Sequence, residues 1–223
     1  MFSHAFAAGA LLGTAISPLV CVSAAERSPV AAAEDVVARV TPSAKGSVLF
    51  HLNPDQGNKI TISGIAGGIR VEASDVRRLV AGYGWYLKNI AKVHFSWNGN
   101  RITLPSPLPV PASPVTVESP WNIVFAYNYC TLSYTAAFWD WNRWQREIDF
   151  LALNGFTHAL VTAGLEKTWE DFLTGLGYPR EKALRFIPNP AFAAWWNMGN
   201  LEGHGGPLSQ QQINKMAQMG RRI

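Results

Sequence analysis

The sequence predicts an α/β protein in two parts: a small N-terminal α/β unit, then the opening of a parallel β/α barrel. Three observations carry this. Short alternating strand patterns surround one long amphipathic helix before residue 100. Six prolines crowd into residues 105–120. After them, continuous apolar runs alternate with helical periodicities. Strands alternating with helices of that length imply βαβ units and a parallel sheet.

In the first part, Val36, Val37 and Val40 share one side of a short helical pattern over Glu34–Val40. Val48, Phe50 and Leu52 alternate with Leu49 and His51, which predicts a strand. Ile60 and Ile62 predict a second, and Ile69, Val71 and Ala73 a third. Ser74 then reads as an N-cap. Val76, Leu79, Val80, Tyr83, Leu87 and Ile90 follow at helical spacing.

The prolines at 105, 107, 109, 111, 114 and 120 exclude helix and stiffen the chain. Residues 105–120 are read as a proline-rich surface linker between an N-terminal domain, 26–104, and a barrel domain from 121 to 223. Ile123 to Tyr127 is an apolar run of the kind found in strands buried on both faces. Phe138, Trp141, Trp144, Ile148 and Leu151 predict a helix ending at Asn154-Gly155. Phe156–Thr162 predicts a second strand, and Glu166–Leu176 a second helix stopped by Gly177 and Pro179. An irregular stretch to Pro207 and a polar helix from Gln210 to Arg222 complete the sequence. Two units do not close a barrel, which needs about 250 residues by itself. The barrel is therefore expected to be truncated at Ile223.

Residues 1–25 contain no Lys, Arg, Asp or Glu. Their apolar, small-residue core and the run Val22-Ser23-Ala24-Ala25 fit a secretory signal peptide. The expected destination is secreted or periplasmic. Cys21 would leave with that segment, so Cys130 would remain without an internal disulfide partner. The 223 residues are 48% apolar and 15% charged, with a net charge of +4. This is the composition of a globular chain. The basic residues are scattered, which excludes an electrostatic footprint for nucleic acid.

Chemistry in β/α barrels sits at the C-terminal ends of the strands. That rule selects Asn128, Tyr129, Cys130, Thr131, Ser133 and Tyr134 after the first strand, and Thr162, Gly164 and Glu166 after the second. Such a polar and aromatic rim suits a hydroxyl-rich ligand, because rings stack on sugar faces while Asn, Ser and Tyr supply hydrogen bonds. Each residue also has a plain structural reading. Asn128 can close a turn. Cys130 can be a small buried hydrophobe, and no His is spaced to act as its base. Trp139, Trp141 and Trp144 read as core. Arg143, Arg146, Glu147 and Asp149 read as a solvated helix face. Glu166 is the one carboxylate in a strand-end loop, whereas glycoside hydrolysis usually uses two. His51, His94, His158 and His204 lack metal-ligand spacing, and Gly203, Gly205 and Gly206 lack the setting of a phosphate loop. No cofactor is implied.

Two blocks carry a family resemblance. The first is Asn128-Tyr129-Cys130-Thr131-Leu132-Ser133-Tyr134, followed by Trp139-Asp140-Trp141, Trp144, Glu147-Ile148-Asp149 and Ala152-Leu153-Asn154-Gly155. The second is Pro190-Ala191-Phe192, Ala194-Trp195, Met198-Gly199-Asn200-Leu201 and Gly206-Pro207-Leu208. Together they resemble the α-N-acetylglucosaminidases of glycoside hydrolase family 89. Gly68–Asn89 is similar to the small domain that precedes the barrel in that family.

The resemblance implies an exo-acting, retaining glycosidase that releases terminal α-linked N-acetylglucosamine from glycans. It implies that Asn128, Cys130, Tyr134 and Trp195 line the terminal-sugar subsite, with Met198, Asn200 and Glu166 in support. It places both catalytic glutamates beyond Ile223, so the 223-residue chain alone is expected to be inactive. The alternative is a secreted, non-catalytic carbohydrate-binding protein. Oligomeric state is left open.

Overall fold

The structure is a computed structural model, and it describes residues 27–202 and 206–223. The expected signal peptide, Cys21 and His204 lie outside the described residues. Among the described residues, no helix is long and apolar enough to cross a membrane.

Helix α1 (Ala31–Val40) buries Ala33, Val36, Val37 and Val40. Strands β1 (Val48–Leu52), β2 (Lys59–Ile65) and β3 (Gly68–Ala73) form where alternation predicts them. β1 pairs with β3 in parallel, and β2 runs antiparallel to β3. Helix α2 (Val76–Asn89) covers the sheet and buries Leu79, Val80, Tyr83, Tyr86 and Leu87. Phe50, Ile60, Ile62, Ile69, Val71 and Ala73 meet it from the sheet.

The N-cap of α2 is Asp75, whose Oδ1 accepts from the Arg78 N–H at 3.0 Å. Ser74, expected in that role, instead gives its hydroxyl to the Gly57 carbonyl. A hairpin of β4 (His94–Ser96) and β5 (Gly99–Arg101) follows, with Trp97 in its turn.

The proline-rich run stays free of helix. It packs along the N-terminal unit: Leu104 and Leu108 join its core, and the Tyr86 hydroxyl donates to the Pro109 carbonyl at 2.9 Å. Its later residues form β6 (Val115–Glu118), a fourth strand antiparallel to β2, in the order β1-β3-β2-β6.

The barrel portion begins with β7 (Phe125–Ala126), which pairs in parallel with β8 (His158–Ala159). Both strands are shorter than their apolar runs. They are not buried on both faces as expected: Ile123 is 66% exposed and Phe125 57%. The described residues pair β7 with β8 alone, so one edge and much of the surface of this two-stranded sheet stay open. Helix α3 (Tyr129–Thr131) leads into a π-helical turn, Leu132–Ala136.

Helix α4 (Trp141–Leu153) is capped by Asp140 and ends at Asn154, with Gly155 at φ +78°. Helix α5 (Leu165–Gly175) follows β8. The stretch read as irregular contains two short helices, α6 (Arg180–Phe186) and α7 (Ala193–Asn197). Helix α8 (Gln210–Arg222) opens on a capping box of Ser209 and Gln212.

The two parts meet along α4. Leu153 belongs to the N-terminal core cluster. Arg39 on α1 makes a bidentate bond to Asp149, at 2.9 and 2.6 Å. Arg146 lies 4.4 Å over the Phe95 ring and donates to the Ser96 carbonyl and to Asn100. Arg143, Arg146, Glu147 and Asp149 are therefore not a solvated face. Glu147 is fully buried, and Asp149 nearly so.

Candidate active-site edge

Strand β7 ends at Ala126, and the chain turns sharply at Tyr127, whose φ is +73°. An aromatic residue rarely occupies that region, so the turn must be held by its surroundings. Asn128 then caps α3. Its Oδ1 accepts from the Thr131 N–H and the Thr131 hydroxyl, both at 3.1 Å. The reciprocal bond from the Asn128 N–H to Thr131 Oγ1 completes a capping box. The structural reading of Asn128 therefore holds for its oxygen.

Cys130 lies partly buried in the same turn as a free thiol. Its spacing from Asn128 and Tyr134 brings all three onto one short helical segment at the C-terminal end of β7.

Tyr134 is 75% exposed. Its ring stands edge-on against Trp195, with centroids 4.8 Å apart at 89°. Ser133 locks the two segments together: its hydroxyl donates to the Pro190 carbonyl at 3.2 Å and accepts from the Ala194 N–H at 3.0 Å. Ser133 is 8% exposed, so both bonds are shielded from water. The Asn200 N–H donates to the Trp195 carbonyl at 2.8 Å. Met198 follows at the end of α7, exposed, with its N–H bonded to the Ala194 carbonyl. Asn200 thus ties the Trp195 segment through its backbone.

Glu166 follows β8, the neighbour of β7. It is buried at the start of α5, where its carboxylate accepts from the Gly164 N–H at 3.0 Å. It faces a small recess lined by Trp169, Ile187, Pro188, Ala193 and Trp196. Burial raises its pKa above the ordinary carboxyl range.

The other buried acids are also committed. Glu170 binds Arg180 at 2.6 Å, Gln210 at 3.2 Å and Lys167 at 3.3 Å, and Asp149 binds Arg39. Among the described residues, no three His, Cys, Asp or Glu side chains cluster as a metal site would need. A cleft lined by Trp85, Lys88, Trp121, Asn122 and Phe156 opens at the other, N-terminal ends of β7 and β8.

Two residues beneath the edge carry little signal in the sequence. Glu147 is buried and Tyr127 partly so, and the phenol donates to Glu147 Oε1. Burial and then the neighbouring carboxylate push the Tyr127 pKa well above its ordinary value, so the phenol keeps its proton. Glu147 stands in the first resemblance block and Tyr127 ends the apolar run, but neither pattern pairs the two.

The comparisons with known proteins follow this layout. Residues 31–110 match the family model of the alpha-N-acetylglucosaminidase (NAGLU) N-terminal domain, and residues 124–223 match that of its tim-barrel domain. Human alpha-N-acetylglucosaminidase is 37% identical over 160 residues, which cover 72% of this chain and 22% of the human protein. A family 89 glycoside hydrolase from Clostridium perfringens, in complex with 2-acetamido-1,2-dideoxynojirmycin, superposes with a TM-score of 0.82 at 29% identity. It is matched over 87% of this chain and 22% of its own.

A second C. perfringens structure, in complex with its substrate GlcNAc-alpha-1,4-galactose, gives the same TM-score at 28% identity, with the same coverage of both chains. The chain thus spans about a fifth of the length of these relatives. Both family models lie in order along one chain, and the three-dimensional match runs through both parts, so this chain belongs to the alpha-N-acetylglucosaminidase family.

Proposed function

We propose that this chain forms the N-terminal unit and the first stretch of sugar-binding edge of an exo-acting, retaining glycoside hydrolase. Its substrate would be a glycan ending in α-linked N-acetylglucosamine. Asn128, Cys130, Tyr134 and Trp195 line the terminal-sugar subsite in this reading, with Met198 and Asn200 behind Trp195.

The supporting observation is the Tyr134–Trp195 corner. Two rings from separate segments meet at right angles at the C-terminal end of a barrel strand, and Ser133 fixes their spacing. One ring offers a flat apolar face to a pyranose, and the other closes its side. The C. perfringens relatives bind a 2-acetamido iminosugar and a GlcNAc-α-galactose disaccharide, which fits such a corner.

A retaining mechanism uses two carboxylates about 5–5.5 Å apart. The family resemblance behind this proposal assigns neither to these 223 residues. Export through the segment 1–25 belongs to the same proposal.

The test is hydrolysis of an aryl α-N-acetylglucosaminide by the complete product of the gene that encodes this chain. Release of N-acetylglucosamine, lost or weakened by Tyr134→Ala and Trp195→Ala, supports the reading. Binding without turnover would favour the non-catalytic carbohydrate-binding alternative, and neither binding nor turnover would refute both.

A further inference from the structure

We infer that Glu147 is a positioning residue for the terminal-sugar subsite, acting through Tyr127, and that the N-terminal unit reaches the subsite through Trp97. This rests on the functional reading above.

The geometry is a buried carboxylate with a donor from each of three elements. Glu147 Oε1 accepts from the Trp97 indole N–H at 3.0 Å and from the Tyr127 phenol. Glu147 Oε2 accepts from Arg143 Nη1 at 2.8 Å. Trp97 comes from the β4–β5 turn, Tyr127 from the end of β7, and Arg143 from the preceding turn of α4.

A fully buried carboxylate is costly unless its oxygens are satisfied. Here the three donors satisfy it, and an aliphatic residue could not hold all of them at once. The carboxylate therefore fixes a point rather than merely filling space.

What it fixes matters because of the backbone. Tyr127 is the residue at φ +73°, immediately before Asn128. If its phenol is released, the side chain no longer opposes relaxation to negative φ. Relaxation would rotate the start of α3, on which Asn128 and Cys130 sit. Tyr134 lies one further turn along, through the π-helical segment. Glu147 touches no predicted sugar-binding residue itself, so its influence runs through the Tyr127 turn. Trp97, packed against Phe150 with centroids 6.0 Å apart, carries the same constraint from the other part of the molecule.

The experiment uses the complete gene product with Glu147→Gln, Tyr127→Phe and Trp97→Phe. Asp149→Asn serves as a control that breaks another buried bond of the same helix. Losing a hydrogen bond to a charged group is expected to raise KM for an aryl α-N-acetylglucosaminide about tenfold for Glu147→Gln and Tyr127→Phe. Trp97→Phe is expected to give about threefold, since its indole is half-exposed and its loss leaves two donors in place. kcat should stay within about twofold, as for loss of uniform binding.

The alkylation rate of Cys130, read by mass spectrometry of its peptide, should rise in the same three variants. Asp149→Asn should lower Tm and leave KM and the Cys130 rate unchanged. The inference is overturned if KM or the Cys130 rate of the three variants matches wild type, or if Asp149→Asn moves them equally. If Glu147→Gln does not fold, Trp97→Phe decides, because it removes one donor from a surface turn. If the wild-type protein neither binds nor cleaves the glycoside, the functional reading fails separately. The Cys130 rates then decide alone whether Glu147 holds the strand end.

Discussion

Gly84 lies within α2, where an alanine would normally help by about 0.8–1 kcal/mol of helix propensity. Here the position faces the end of α4. A Cβ at residue 84 would stand 1.8 Å from the Leu153 carbonyl oxygen, 2.6 Å from its carbon and 2.9 Å from its Cα. These are backbone atoms, so no rotamer change can clear them. The helices would have to separate by more than about 1 Å, and overpacking of a dense contact costs about 1–3 kcal/mol or more.

The clash therefore outweighs the propensity, and Gly84→Ala should destabilise by about 1–2 kcal/mol. In a chain of this size that lowers Tm by about 2–8 °C. Gly175, the last residue of α5, faces open space where a Cβ would stand, with nothing within 4 Å. The same substitution there should be neutral or raise stability by up to about 0.5–1 kcal/mol. Thermal unfolding followed by circular dichroism reads both. Gly84→Ala as stable as wild type would refute the argument that α2 and α4 are locked by backbone contact.

Three further outcomes follow from charges. Asp149→Asn removes a bidentate partner of Arg39 and should cost about 1–2 kcal/mol in urea unfolding, less than a fully buried pair because Arg39 still reaches water. Glu72 is held at a pKa of about 2, first by the Asn53 amide and then by that of Gln56, with Arg70 and His51 adding to it. A depressed folded pKa gives stability that is present above the ordinary carboxyl range and lost as pH falls from there toward 2. Glu72→Gln should therefore flatten the acid limb of a Tm-versus-pH curve in that window, and an unchanged limb would count against it. Glu166 runs the other way. Its raised pKa means that folding is penalised as pH rises through the carboxyl range and on to the folded pKa. Glu166→Gln should match wild type near pH 4, melt higher at pH 7, and retain turnover. Lost turnover would make Glu166 catalytic instead.

Much of the fold was legible because it rests on local period. β1, β2, β3, α2 and α4 lie within a few residues of their patterns. The Asn154-Gly155 stop works because glycine takes the positive φ that ends a helix. The strand-end rule also placed Asn128, Cys130 and Tyr134 directly after the first barrel strand, and they do follow β7 on one helical segment. Helices α6 and α7 escaped, since seven and five residues hold too little period to read. The misread cap has a similar cause: Ser74 and Asp75 are both good capping residues, and the choice was made by the Gly57 carbonyl 17 residues away. Glu147 and Asp149 were misread for a stronger reason. Charged residues spaced along a helix look solvated unless their partners are known, and those partners, Trp97 and Arg39, lie 50 and 110 residues upstream.

That error points to how the molecule is organised. In α4, positions 146, 149 and 153 follow one another at intervals of three and four, so they share a face. Arg146 grips the β4–β5 hairpin, Asp149 grips α1, and Leu153 meets Gly84 of α2. Glu147, on the flank of that stripe, reaches both Trp97 and Tyr127. A first barrel helix would ordinarily turn this face to water. Here it is covered by the N-terminal unit, and the cover is polar at its centre and apolar at its end. Polar bonds fix register where apolar contact alone would allow sliding, because a shift of one residue would leave buried charges unpaired. The N-terminal unit therefore acts as a splint along α4, and its Trp97 meets Tyr127, at the end of β7, on the one carboxylate of Glu147.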